Sequence, residues 1–176
     1  MSPLTEAMII NGVVLFATLE SDLGRHRKIG WFRIVRVPLT VALVIPLFLD
    51  RPVTHGNGLL VELAGIVAGL LGGLIVTPLM RVYRSPTTGK PVSAAGLPYA
   101  IAWMLIVGAR AAFSYGAVHW FPAQIAQWGL THQVTLAAIT DGLIFMAFTM
   151  ALVRTAGLAA RASRLPSAPR AVRVTA

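Results

Sequence analysis

Cysteine is absent from the 176 residues, which excludes disulfides, thiolate nucleophiles and cysteine-held metals. Charge is scarce too. Asp, Glu, Lys and Arg together make up 12% of the chain, about half the share of an ordinary soluble domain. Lysine occurs only as Lys28 and Lys90, an arginine bias that high-GC bacterial coding would produce. No serine elbow, phosphate loop, zinc motif or paired aspartates appears, so no residue qualifies as catalytic or metal-binding by motif. The first apolar run has no basic stretch ahead of it and contains Glu6. That pattern argues for a retained membrane helix and against a cleaved signal peptide.

What is present is apolar: 56% of the residues are hydrophobic. Long runs nearly free of charge meet the requirement of about 20 apolar residues for crossing a bilayer. Five such runs are expected as helices, at residues 3–19, 34–49, 59–80, 97–119 and 134–153. Basic residues alternate between the intervening segments. Residues 25–36 are rich in them, the next loop has only Arg51 beside Asp50, the third has Arg81, Arg84 and Lys90, and the fourth has none. The tail carries Arg154, Arg161, Arg164, Arg170 and Arg173. Because basic residues favour the cytoplasmic side, the expected fold is an all-α integral membrane bundle of five transmembrane helices. The N-terminus is expected outside and the C-terminus inside, in a bacterial cytoplasmic membrane. The net charge of +9 then points to anionic lipid headgroups and not to nucleic acid.

Between the fourth and fifth runs, Phe121, Ile125 and Trp128 recur at helical spacing among polar residues, as in a helix lying in the interface with Trp120 and Trp128 at headgroup level. Residues 1–164 form the transmembrane domain in this reading, and 165–176 a basic disordered tail. Gly65, Gly69 and Gly73 fall four apart on the third run, and Gly108, Ala112 and Gly116 on the fourth. Such stripes let backbones approach closely, so these two helices are expected to meet, or to meet a second copy of the chain. Pro46 and Pro78 remove backbone donors and bend or end their helices, while Pro38 sits near a helix start, where it is tolerated.

Two ionisable residues interrupt apolar sequence near mid-span: Arg110 and Asp141. A charge at the bilayer centre costs about 2.5 to 3.5 kcal/mol on insertion scales, so opposite charges at one depth most economically pair. Glu62, on the face of Gly65 and Gly69, and Glu6 at a comparable outer depth complete a candidate polar cluster. Its functional reading is a proton relay or a site for a lipid-soluble ligand; its bland reading is a structural ion pair. His55, His119 and His132 fall at the outer surface, where imidazole can ligate haem or metal, but their spacing matches no ligand pattern. His26 reads as solvated. Arg33 and Arg36 share a helical face and would snorkel to inner-leaflet phosphates.

Residues 72–116 combine a glycine-rich helix, an arginine and aromatic loop (Arg81, Tyr83, Arg84), a turn glycine (Gly89) and a helix carrying Trp103 and an internal Arg110. In these elements the chain resembles the CcdC-like family of small bacterial membrane proteins. The resemblance implies a link to cytochrome c maturation without an assigned activity, and makes Arg84 and Trp103 further candidates. The expectation from all of this is a non-enzymatic accessory or assembly factor that meets other membrane proteins. A small proton-coupled transporter, or a membrane enzyme or binder of a lipid-soluble ligand, is the alternative.

Overall fold

The computed structural model describes residues 12, 15, 16, 18–20, 22–32, 34–36, 39 and 57–166, with the backbone alone at 25 and 26. Within these the chain is mostly helical, and three helices are long and apolar enough to cross a membrane. They are α1 (Asn57–Val76), α2 (Leu97–His119) and, after the short α3 (Pro122–His132), α4 (Leu136–Ser163). The two runs expected at 3–19 and 34–49 lie largely outside the described residues, as do Glu6, Arg33, Pro38, Pro46, His55 and the tail beyond 166.

α1 is inside out by the standard of a water-soluble helix. Leu60, Leu63, Val67, Leu71 and Leu74 point outward, whereas its buried face is built from Gly58, Glu62, Gly69, Gly72, Gly73 and Val76. Leucine outward and glycine inward is what lipid selects, because packing and not water exclusion joins helices there. The glycine stripe is indeed a seam, but its partner is α4 and not α2. A Cβ built on Gly65 would stand 2.1 Å from the Gly142 carbonyl oxygen, one on Gly69 2.3 Å from that of Met146, and one on Gly73 2.6 Å from Val153 Cβ. Contacts that climb both sequences together make α1 and α4 parallel neighbours. Among the described residues the second stripe meets no neighbouring helix: Gly108 has no atom within 4 Å of a built Cβ, and Gly116 is covered by Phe121 and Trp120 of its own turn into α3.

The sequence expectation of an all-α chain misses a three-stranded antiparallel sheet, ordered β1-β3-β2, formed by β1 (Gly24–Lys28), β2 (Met80–Arg84) and β3 (Pro91–Ala95). Pro78 cannot donate to the helix, α1 stops at Val76, residues 77–79 form a turn, and Met80, expected as the last residue of the helix, starts β2 instead. The β2–β3 hairpin turns on Ser85 to Lys90. Ser85 N–H donates to the Lys90 carbonyl at 2.9 Å, Gly89 N–H to the Ser85 carbonyl at 2.8 Å, and Gly89 holds the left-handed φ of 62°, where glycine carries no steric penalty. Met80, Val82 and Ala95 of the sheet close over Val76, Tyr99, Trp103, Met150 and Leu158, so the core sits where the helices meet the sheet.

α4 runs ten residues past the expected end at 153. Its 28 residues span about 42 Å at ~1.5 Å each, more than a hydrocarbon core of about 30 Å. The excess serves the sheet end, where Arg161 donates to the carbonyls of Thr77 (2.9 Å) and Met80 (2.7 Å). Both carbonyls lie just past the C-terminal end of α1 at Val76, where a cation suits the helix dipole. Replacing Arg161 by Met is expected to cost about 1.5 to 3 kcal/mol, the worth of hydrogen bonds to a charged group. Detergent unfolding would read this, together with faster amide exchange at residues 79–82; unchanged exchange there would remove Arg161 from the role.

Candidate functional site

The most deeply buried charge is not one the sequence singles out. Asp22, just ahead of β1, forms an ion pair with Arg154 of α4, and the hydroxyl of Tyr99 in the first turn of α2 donates to the same carboxylate. Asp22 and Tyr99 are 0% exposed and Arg154 7%. Three distant stretches of chain are thereby tied at one point beneath the sheet. Trp103, one turn along from Tyr99 with ring centroids 6.3 Å apart, walls the group off, and its indole N–H has no hydrogen-bond partner among the described residues. The sequence places Arg154 as the first arginine past the expected fifth span, and the greater length of α4 makes it an interior residue.

The expected cluster of Arg110, Asp141, Glu62 and Glu6 is only partly assembled. Glu62 (4% exposed) and Asp141 (8%) face each other across the α1–α4 seam, near enough for the two carboxylates to interact. Among the described residues no ion pair joins Arg110 to Asp141. Asp141 lies beside the α1–α4 seam, next to Gly142, whose backbone lies against Val61. Arg110 is half-buried on the inward stripe of α2 that also carries Tyr99, Trp103 and Val107, and its Nε is buried without a hydrogen-bond partner among the described residues.

Farther out, α3 lies across the end of the helices as the spacing of Phe121, Ile125 and Trp128 suggests. A cavity of about 500 Å³ opens beneath it, walled by Val61, Phe113, Phe121, Trp128 and Ile139, with Gln124 as its polar side chain. Asn57 Nδ2 donates to the His132 carbonyl at 2.7 Å and pins the end of α3 to the start of α1. The histidines there are engaged locally. His119 stacks on Tyr115 and His132 on Trp128, each with Nδ1 at the carbonyl four residues back. Arg84 reaches the Gly89 carbonyl at 2.8 Å and the carbonyls of Leu165 and Pro166. It therefore clamps the hairpin turn to the chain leaving α4.

Comparison of the chain with protein-family models, curated proteins and solved structures finds no match. The CcdC-like resemblance gains nothing from them, and the class is defined by the fold itself: a mostly helical chain with three membrane-length apolar helices and a small sheet at one end.

Proposed function

We propose that the protein is a multi-pass protein of a bacterial cytoplasmic membrane that acts as a non-enzymatic accessory or assembly factor. The observation that carries this reading is the closure of its deepest charged group. The Asp22 carboxylate takes both the Arg154 head and the Tyr99 hydroxyl with almost no exposure, and the Arg154 Nε beside them has no hydrogen-bond partner among the described residues. Such a group fixes the relation of β1, α2 and α4 and leaves no open face for a reactant. Purified protein in liposomes is expected to show no proton flux under a pH gradient and to crosslink to a membrane protein through the outward face of α1. Flux that Asp141→Asn abolishes would replace this reading with a proton-coupled carrier, for which the facing Glu62 and Asp141 are the supporting observation.

The proposal includes five spans with the N-terminus outside. Its support is that the basic first and third loops pair as strands of one sheet, beside the basic end of α4, so they share a side of the membrane. The chain has no cysteine, which gives single-cysteine variants a clean background. An impermeant maleimide applied to intact spheroplasts is expected to label Gln127→Cys, and to label Lys28→Cys, Thr88→Cys and Ser163→Cys only after the membrane is opened. Labelling of Lys28→Cys from outside would invert the topology.

A further inference from the structure

Three arginines lie within α2 and α4, and two of them are spoken for: Arg154 by Asp22, Arg161 by two backbone carbonyls. Arg110 is the third: its Nε, like that of Arg154, is buried with no hydrogen-bond partner among the described residues, and unlike Arg154 it has no carboxylate ion pair among them. It stands about 20 Å from the sheet end of α2 and about 13 Å from the other end, at ~1.5 Å per residue. A guanidinium cannot shed its proton, and in hydrocarbon its charge costs several kcal/mol unless an anion or dipole compensates it. One helical turn outward on the same face of α2, Phe113 lines the apolar cavity of about 500 Å³ under α3. That size lies within the range of small-molecule sites, which are apolar with a few placed polar groups.

We propose that Arg110 and this cavity form one binding site for a membrane-soluble, single-chain carboxylic acid, with the carboxylate on the guanidinium and the apolar chain among Phe113, Phe121, Trp128, Ile125, Val61 and Ile139. Charge complementarity selects the head, because a carboxylate accepts both edges of a guanidinium. Depth selects the body. A diacyl phospholipid keeps its phosphate at the surface, whereas a single-chain acid fits a cavity of this volume whole. Gln124 adds a polar contact at the outer rim. The site is independent of the accessory reading and of the Asp22 group.

The test is a titration of the full chain in mild detergent with palmitate and with methyl palmitate, followed by native mass spectrometry. Wild type is expected to take up one palmitate saturably and to bind the methyl ester at least about tenfold more weakly, the worth of one charge-assisted contact. Arg110→Gln is expected to lower palmitate affinity by a similar factor and to leave the ester unchanged. Ile139→Trp, which fills the cavity, is expected to lose both. Equal affinity for acid and ester in wild type overturns the proposal, as does palmitate binding by a folded Arg110→Gln that matches wild type, or displacement of palmitate by phosphatidylglycerol. Should Arg110→Gln fail to fold, the acid-against-ester ratio and Ile139→Trp decide.

Discussion

Asp22→Asn is expected to be the most damaging conservative substitution in the chain, at about 3 to 5 kcal/mol, the cost of stranding one member of a buried pair. It leaves Arg154 charged, 7% exposed, and without its counter-ion. The reverse change, Arg154→Met, is expected to cost less. A stranded carboxyl can be neutralised by a proton and keep its contact with the Tyr99 hydroxyl, an escape that a guanidinium lacks. The sign follows from linkage: in Arg154→Met the folded state holds a proton that the unfolded chain releases, so its deficit shrinks as pH falls. The deficit of Asp22→Asn does not. Tyr99→Phe removes one donor to a charged acceptor and is expected to cost about 1.5 to 3 kcal/mol. The double variant Asp22→Leu/Arg154→Met is expected to recover much of the single losses, since apolar replacement of a whole buried pair is often neutral. Unfolding in mixed micelles at pH 5 and pH 8 measures all four. Additive single losses, or a pH-independent Arg154→Met, would show that the two side chains do not act as a pair.

Reading the sequence located α2 to the residue, placed α3 from the spacing of Phe121, Ile125 and Trp128, and found the Gly65, Gly69 and Gly73 stripe. These succeed because lipid-facing helices advertise themselves by length and apolar composition. What was missed shares one cause: a membrane frame treats charged segments as loops. The Ser85-Pro86-Thr87-Thr88-Gly89-Lys90 turn carries proline early and glycine at its left-handed position, a hairpin signature, yet Lys90 and the preceding Arg81 and Arg84 mark the segment as a cytoplasmic loop. Arg154 falls after the expected fifth span for the same reason, and Asp22 carries no sequence signal at all, though both are buried. Arg110 and Asp141 drew attention because each stands alone in apolar sequence. Depth along a helix was legible, but facing was not, because it depends on which neighbour the glycines choose.

Alanine at Gly65 or Gly69 is expected to part α1 from α4. A Cβ at Gly65 would lie 2.1 Å from the Gly142 carbonyl oxygen and 2.9 Å from its Cα; at Gly69 the nearest atom is the Met146 carbonyl oxygen at 2.3 Å. The obstacles at both positions include helix backbone, which has no rotamer to yield, so one helix must move away from the other. Overpacking of a close-fitted interior costs about 1 to 3 kcal/mol and at times more. Backbone against backbone belongs at the upper end of that range. Gly73 meets the stiff β-branched Val153 side chain at 2.6 Å and is expected to cost less. Gly108→Ala is the control: with open space around it among the described residues, it is expected to be neutral or slightly stabilising, since alanine favours helix over glycine. The two severe changes should also fail to add. Once Gly65→Ala has separated the helices, Gly69→Ala meets a gap already opened, so the double variant is expected to fall short of the sum of the singles. The separation is expected to reach the carboxylates as well. Glu62 lies three residues before Gly65, and Asp141 adjoins Gly142, so Gly65→Ala should let water between them. Cysteine placed at position 62 is expected to go from unreactive towards a small maleimide to reactive in that background. A neutral Gly65→Ala with position 62 still shielded would mean that α1 does not rest on α4 through its glycines, and that the stripe faces something outside the described chain.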